Sequence, residues 1–193
     1  MNRKLPVRGC EFVSVTNKPA LKILIIFLLM LCFAYSFGFT TRDLTSQEID
    51  KMFSILNTLK NTPYVWGGTS FSGIDCSGLV IYLLNQVGVQ KFMYKTYLVL
   101  DVTADNLYRY NTKPLSNLKD LKKGDLIFFD TNEDTVYDHV MIFDTFDKYG
   151  NIWVWDAAEM PDGIHQNKVD RRPLSLISAR KYALGRIIVA LSN

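Results

Sequence analysis

The rhythm of hydrophobic and polar positions changes twice along this chain. Residues 23–33 (Ile-Leu-Ile-Ile-Phe-Leu-Leu-Met-Leu-Cys-Phe) form an unbroken apolar run. Further on, Ile49, Met52, Phe53, Leu56 and Leu59 recur at three-and-four spacing, which predicts an amphipathic helix over residues 46–60. Thr45-Ser46-Gln47-Glu48 reads as its capping box, the hydroxyl and the carboxylate each satisfying a backbone donor. Pro63 closes it. A second helix is expected from Cys76 to Val87, with Leu79, Val80, Leu83 and Leu84 apolar and Gly88 at its end. Being apolar almost all round, it should be central and buried. The segment between the helices, from Tyr64 to Ile74, is a loop rich in glycine and serine.

Residues 90–121 hold no sustained period; a short helix is expected over 103–110 and loop elsewhere. After the turn at Lys122-Lys123-Gly124-Asp125, the pattern becomes that of strands, at 125–130, 138–144, 151–157 and 185–191, with a weak one near 165–169. Short links such as Lys148-Tyr149-Gly150 argue for antiparallel pairing. Helices first and strands afterwards predict an α+β domain, with the N-terminal helices packed on a central antiparallel sheet of about five strands. At 193 residues and 48% apolar, the chain can bury one core of ordinary size.

Charge divides the chain at the same place as hydropathy. The net charge is +3, but Arg3, Lys4, Arg8, Lys18 and Lys22 stand against Glu11 alone in residues 1–36. The remainder has 17 basic and 18 acidic residues. There is no basic stripe, so nucleic acid is not an expected partner. Lys18 and Lys22 before the apolar run, and Ala34-Tyr35-Ser36 after it, read as a signal peptide cleaved after Ser36, with an uncleaved signal anchor as the alternative. Residues 37–193 are then an exported domain, in the envelope or secreted, meeting the membrane only through an uncleaved leader.

Past the leader, Cys76 is the only cysteine, so it has no disulfide partner there. A free cysteine is more often a small packed hydrophobe than a reagent. Its place at a helix start, following a glycine-rich loop, favours chemistry instead. The helix dipole and a nearby imidazolium both favour a thiolate nucleophile. His139 lies in the middle strand, and a third polar group from the adjoining strand should fix its tautomer. Asp156 is the best placed for that, with His165 in reserve. One cysteine and two histidines without a close pair are too few for a metal site, and no cofactor is expected.

Three blocks in the right order resemble the NlpC/P60 cysteine peptidases: Thr62-Pro63-Tyr64-Val65-Trp66-Gly67-Gly68 with Asp75-Cys76-Ser77-Gly78-Leu79, then Leu121 to Phe129, then Asp138 to Phe143. The resemblance covers about residues 45–190. It implies a papain-like fold and cleavage of amide bonds in peptidoglycan peptides, most often between D-glutamate and the following diamino acid. It also implies Cys76 as nucleophile, His139 as general base and acid, and a third polar position, often histidine, near Asp156. Tyr64 matches a tyrosine facing the nucleophile, and Asp75 and Ser77 match positions that help to bind the peptide. Met141 departs from the pattern, which usually has a small residue there, and the hairpin from His139 to Asp156 is longer than usual. The alternatives are an N-acetylmuramoyl-L-alanine amidase and a non-catalytic wall-binding module.

Overall fold

A computed structural model describes residues 39–158, 167–174 and 181–191, together with residue 23. Contacts divide the chain into residues 1–38 and 39–193, and the second unit carries the fold. Its strands are β1 (Thr41–Asp43), β2 (Thr69–Ser70), β3 (Gly73–Ile74), β4 (Phe92–Tyr94), β5 (Tyr97–Val99), β6 (Thr112–Leu115), β7 (Leu126–Asp130), β8 (His139–Phe146), β9 (Ile152–Ala158), β10 (Lys168–Pro173) and β11 (Lys181–Ala190). The helices are α1 (Ser46–Leu59), α2 (Cys76–Gln86) and α3 (Ala104–Asn111).

The main sheet runs β1-β11-β7-β8-β9-β10, with β6 also pairing β11, and every pairing is antiparallel. The fold is therefore α+β as the sequence implies, with three helices and an antiparallel sheet. The five strands legible in the sequence run consecutively as β11-β7-β8-β9-β10, with β10 at one edge. Two short strands, β1 and β6, extend the sheet along the ten-residue β11, whose Leu184 and Gly185 pair with β7 on one side and β6 on the other. Ile187 and Leu184 pair with Thr112 and Leu115, and Ala190 with Thr41. β11 begins at Lys181, four residues before the expected start; the polar opening is accounted for by Lys181, whose ammonium lies 2.8 Å from the buried Asp130.

Both faces of the sheet are covered. On one, Leu79, Val80, Leu83 and Leu84 of α2 pack with Leu126, Phe128, Val140, Ile142, Trp155 and Ala157. On the other, Leu121 closes over Ile127, Phe129, Met141, Phe143, Ile152, Val154 and Leu184. Residues alternate between the two clusters along β7, β8 and β9, the period of two that a strand imposes. Each fully buried aliphatic or aromatic side chain contributes about 1.5–3 kcal/mol, so the central strands anchor whatever their ends present. Among the described residues no helix is long and apolar enough to cross a membrane; the apolar leader lies outside them.

α1 begins as expected: the Thr45 hydroxyl accepts from Glu48 N at 3.2 Å, and Glu48 accepts from Thr45 N at 2.7 Å. Arg42 of β1 adds a two-pronged pair to the same carboxylate at 2.7 and 2.8 Å. That pair, with the Thr45 donors, lowers the Glu48 pKa to about 2.

Candidate active site

The glycine-rich loop and α2 are fitted together by the absence of side chains. A Cβ on Gly78 would overlap the Gly68 carbonyl oxygen, and one on Gly68 would overlap that of Gly73. With nothing there, Asp75 N donates to Gly68 O at 3.0 Å, and the loop lies directly against the first turn of α2. Asp75 is the N-cap: one carboxylate oxygen accepts from Gly78 N at 2.6 Å and from the Ser77 hydroxyl at 3.2 Å, the other from Gly67 N at 2.7 Å. Asp75 and Ser77 therefore fix the start of the helix on which Cys76 is the first residue.

The sulfur of Cys76 lies 3.9 Å from the Asp138 carbonyl oxygen, at the start of β8. The residue is buried, yet it lines a cleft of about 500 Å³. Trp66 and Gly67 form one wall, Asp101 to Ala104 and Asn106 a second, and Val136 to Asp138 a third. Trp66 is 81% exposed. Tyr108 of α3 holds the third wall, its ring 4.7 Å from Tyr137 and 5.3 Å from Phe128, edge to face.

Sheet register accounts for the next link. Ile142 pairs with Trp155; continued toward the start of β8, that register sets Met141 opposite Asp156 and His139 one diagonal step away on the same side. Diagonal neighbours are within reach of long side chains. His139 Nε2 lies 3.2 Å from Asp156 Oδ2, and Cys76 is near enough to act on the imidazole's pKa. Asp156 is 1% exposed. Burial of the imidazole is the largest influence on its pKa and pulls it down. The hydrogen bonds to Asp156 and Cys76, with the negative charge on each partner, outweigh burial and raise the pKa from 6.5 to about 9.

The structure thus brings Cys76 to the start of β8, beside His139 and its hydrogen-bond partner Asp156, with Asp75 and Ser77 in the turn that carries the thiol. Tyr64 is half-buried against the first core, its backbone bridged to Ile74. His165 lies outside the described residues. Met141 is buried in the second apolar cluster. The extra length between His139 and Asp156 is taken up by a register shift between Phe143 and Thr145 and by a turn in which Asp147 accepts from Tyr149 N and Asn151 N. Among the described residues no three His, Cys, Asp or Glu side chains are grouped as metal ligands would be.

One partner escaped the sequence reading. Arg172 Nε of β10 lies 2.7 Å from Asp156 Oδ1. Its segment, Lys-Val-Asp-Arg-Arg-Pro, has a single buried apolar residue, and the weak strand expected near 165–169 stops short of Arg172. Only the pairing of β10 with β9 reveals that Arg172, opposite Val154, is diagonal to Asp156 from the other side.

The probable endopeptidase YafL of Escherichia coli is 38% identical to this chain over 82 residues, which are 42% of this chain and 30% of YafL. The murein DD-endopeptidase MepH of the same organism is 36% identical over 84 residues, 42% of this chain and 27% of MepH. The chain thus spans less than a third of the length of these relatives. An NLP/P60 family protein of Staphylococcus aureus, described as similar to lipoprotein, superposes with a TM-score of 0.54 at 20% identity, over 86% of this chain and 49% of that one. NlpC1 of Trichomonas vaginalis does so at 0.55 and 19%, over 79% and 47%. At that identity the two structures establish the shared fold alone. The sequence profile of the NlpC/P60 family matches residues 61–175, more than half of the chain and the whole stretch from Cys76 to Arg172, and the protein belongs to that family.

Proposed function

We propose that this protein is a cysteine peptidase that hydrolyses amide bonds in peptidoglycan stem peptides, between D-glutamate and the following diamino acid. The observation that carries the reading is Cys76 at the start of α2, lining a cleft and meeting the start of β8, where His139 is hydrogen-bonded to the buried Asp156. The relatives named as endopeptidases supply the substrate class. Such a substrate lies outside the cytoplasmic membrane, so the site of action is the envelope or the medium, with residues 1–36 as the export signal.

The chemistry is acyl transfer. With its pKa raised to about 9, His139 is an imidazolium at neutral pH, and the nucleophile is Cys76 in its thiolate form. The thiolate attacks the scissile carbonyl carbon and the C=O π electrons move to oxygen. The N–H groups of Cys76 and Ser77, at the positive end of α2 and outside the Asp75 cap, receive that oxyanion, with the Tyr64 hydroxyl as a further donor. Collapse of the intermediate breaks the C–N bond, and His139 gives its proton to the departing amine. The imidazole, now neutral, takes a proton from water; the resulting hydroxide attacks the thioester and releases the acid. Asp156 holds the ring in place through Nε2, leaving Nδ1 to face the sulfur.

Mass spectrometry of defined muropeptides incubated with the protein identifies the bond. A new fragment ending in D-glutamate, absent with Cys76→Ala, is the expected result. Free stem peptide with bare glycan would mean an amidase. The name of MepH makes cleavage of a D,D cross-link the second endopeptidase reading, and dimers resolved into monomers would favour it. No cleavage, with wall material still co-sedimenting, would mean a binding module.

A further inference from the structure

We propose that Arg172 is a positioning residue for this cleavage, holding Oδ1 of Asp156 so that Oδ2 is presented to His139. The inference rests on the reading of Cys76, His139 and Asp156 as the reacting array. Arg172 Nε lies 2.7 Å from Asp156 Oδ1, an ion-pair contact whose angle falls short of a hydrogen bond. Neither atom has a hydrogen-bond partner, and both are buried. Each therefore depends on the other, because a buried charge without its counter-charge is strongly unfavourable.

Charge balance leads to the same residue. A thiolate, an imidazolium and a carboxylate together carry one net negative charge in a buried site, and the guanidinium makes the array neutral. Among the described residues the neighbouring cations of β10 are engaged elsewhere. Asp170, directly opposite Asp156 on β10, is engaged by Lys60 at 3.5 Å and Lys168 at 3.9 Å. Arg171 alternates to the other side of the strand, where it pairs with Asp144 and covers the Trp153 ring at 4.5 Å. His139 and Arg172 are diagonal neighbours of Asp156, one from each flanking strand, so the carboxylate is held from both sides along the sheet.

The test uses the full chain with Arg172→Met and Arg172→Lys, each checked for folding by circular dichroism. The His139 titration is followed by NMR of protein labelled in its two histidines, assigned with His165→Asn, and peptide hydrolysis is measured in parallel. In Arg172→Met the carboxylate loses its hold on Oδ1. The His139 midpoint should fall from about 9 by about one unit or more toward its ordinary value. kcat should fall about ten- to a hundredfold with KM little changed. Arg172→Lys keeps the charge without the planar fork, and should recover part of both losses. A midpoint that stays put overturns the proposal. So does one that rises, since Arg172 would then only be weakening the field of Asp156. A folded lysine variant as impaired as the methionine one also overturns it. If the wild-type protein cleaves no stem peptide, the cleavage reading fails, while the titration still tests the hold of Arg172 on Asp156.

Discussion

The surroundings of His139 set the pH behaviour of the site. His139 is raised from 6.5 to about 9 in the folded protein. The imidazolium should thus persist through neutral pH, and hydrolysis should decline as pH rises through about 9 and it is lost. The same shift acts on stability. A group with a raised folded pKa stabilises fully below its unfolded value, here about 6.5, and that contribution disappears as pH rises through about 9. Thermal unfolding at pH 6, 8 and 10 should show the wild type losing more stability toward alkaline pH than Asp156→Asn, which lacks the carboxylate that raises His139. Equal losses would show that Asp156 does not hold the proton on His139. Cys76 and His139 were legible as candidates in the sequence because each sits in a short local block, Asp75-Cys76-Ser77-Gly78 and Asp138-His139-Val140. Asp156 was legible through strand adjacency. Arg172 was not, because its contact is set by the register of a strand whose own residues carry no strand pattern.

The start of α1 and the start of α2 are the elements most exposed to single changes. Glu48 closes the capping box and receives Arg42, so Glu48→Gln should cost about 1 kcal/mol, read as a shift in the denaturation midpoint. Since the Glu48 pKa is lowered to about 2, its contribution is complete above its ordinary pKa and is lost as pH falls toward 2. Gly78→Ala would force a methyl group into the Gly68 carbonyl. Separation of loop and helix should cost about 1–3 kcal/mol and displace the Cys76 N–H, so hydrolysis should fall in protein that remains folded. A Gly78→Ala variant of wild-type stability and rate would show that the contact between loop and helix positions nothing. The capping box was readable because it lies within four residues. Arg42 was not, because β1 exists only as the partner of the far end of β11. β10 was seen only as a weak strand for a related reason. Its side chains are spent on ion pairs with Asp144 and Asp156 rather than on an apolar face, and charge together with Pro173 suits an edge strand that should not pair further.

At the scale of the whole molecule, a doubly covered sheet fixes β8, β9 and β10, and the helix packed on it brings a thiol to the start of β8. The cleft is lined in part by core residues such as Val102 and Ala104 and in part by exposed ones. Trp66 in particular is exposed at its wall and contributes little to the core. Trp66→Ala should therefore leave the melting temperature within about 2 °C of wild type. It should raise KM for stem peptides several-fold with kcat little changed, the sign of a contact made equally in the ground and transition states. A fall in melting temperature with KM unchanged would assign Trp66 to the fold. The claim beneath all of this is that the Cys76 sulfur forms the bond to substrate. Its most direct test is the rate of stem-peptide hydrolysis by the wild type beside Cys76→Ala and Cys76→Ser, each confirmed folded by circular dichroism. The account predicts a loss of about a thousandfold or more in both. Hydrolysis that survives in the folded alanine protein within about tenfold of wild type would contradict it.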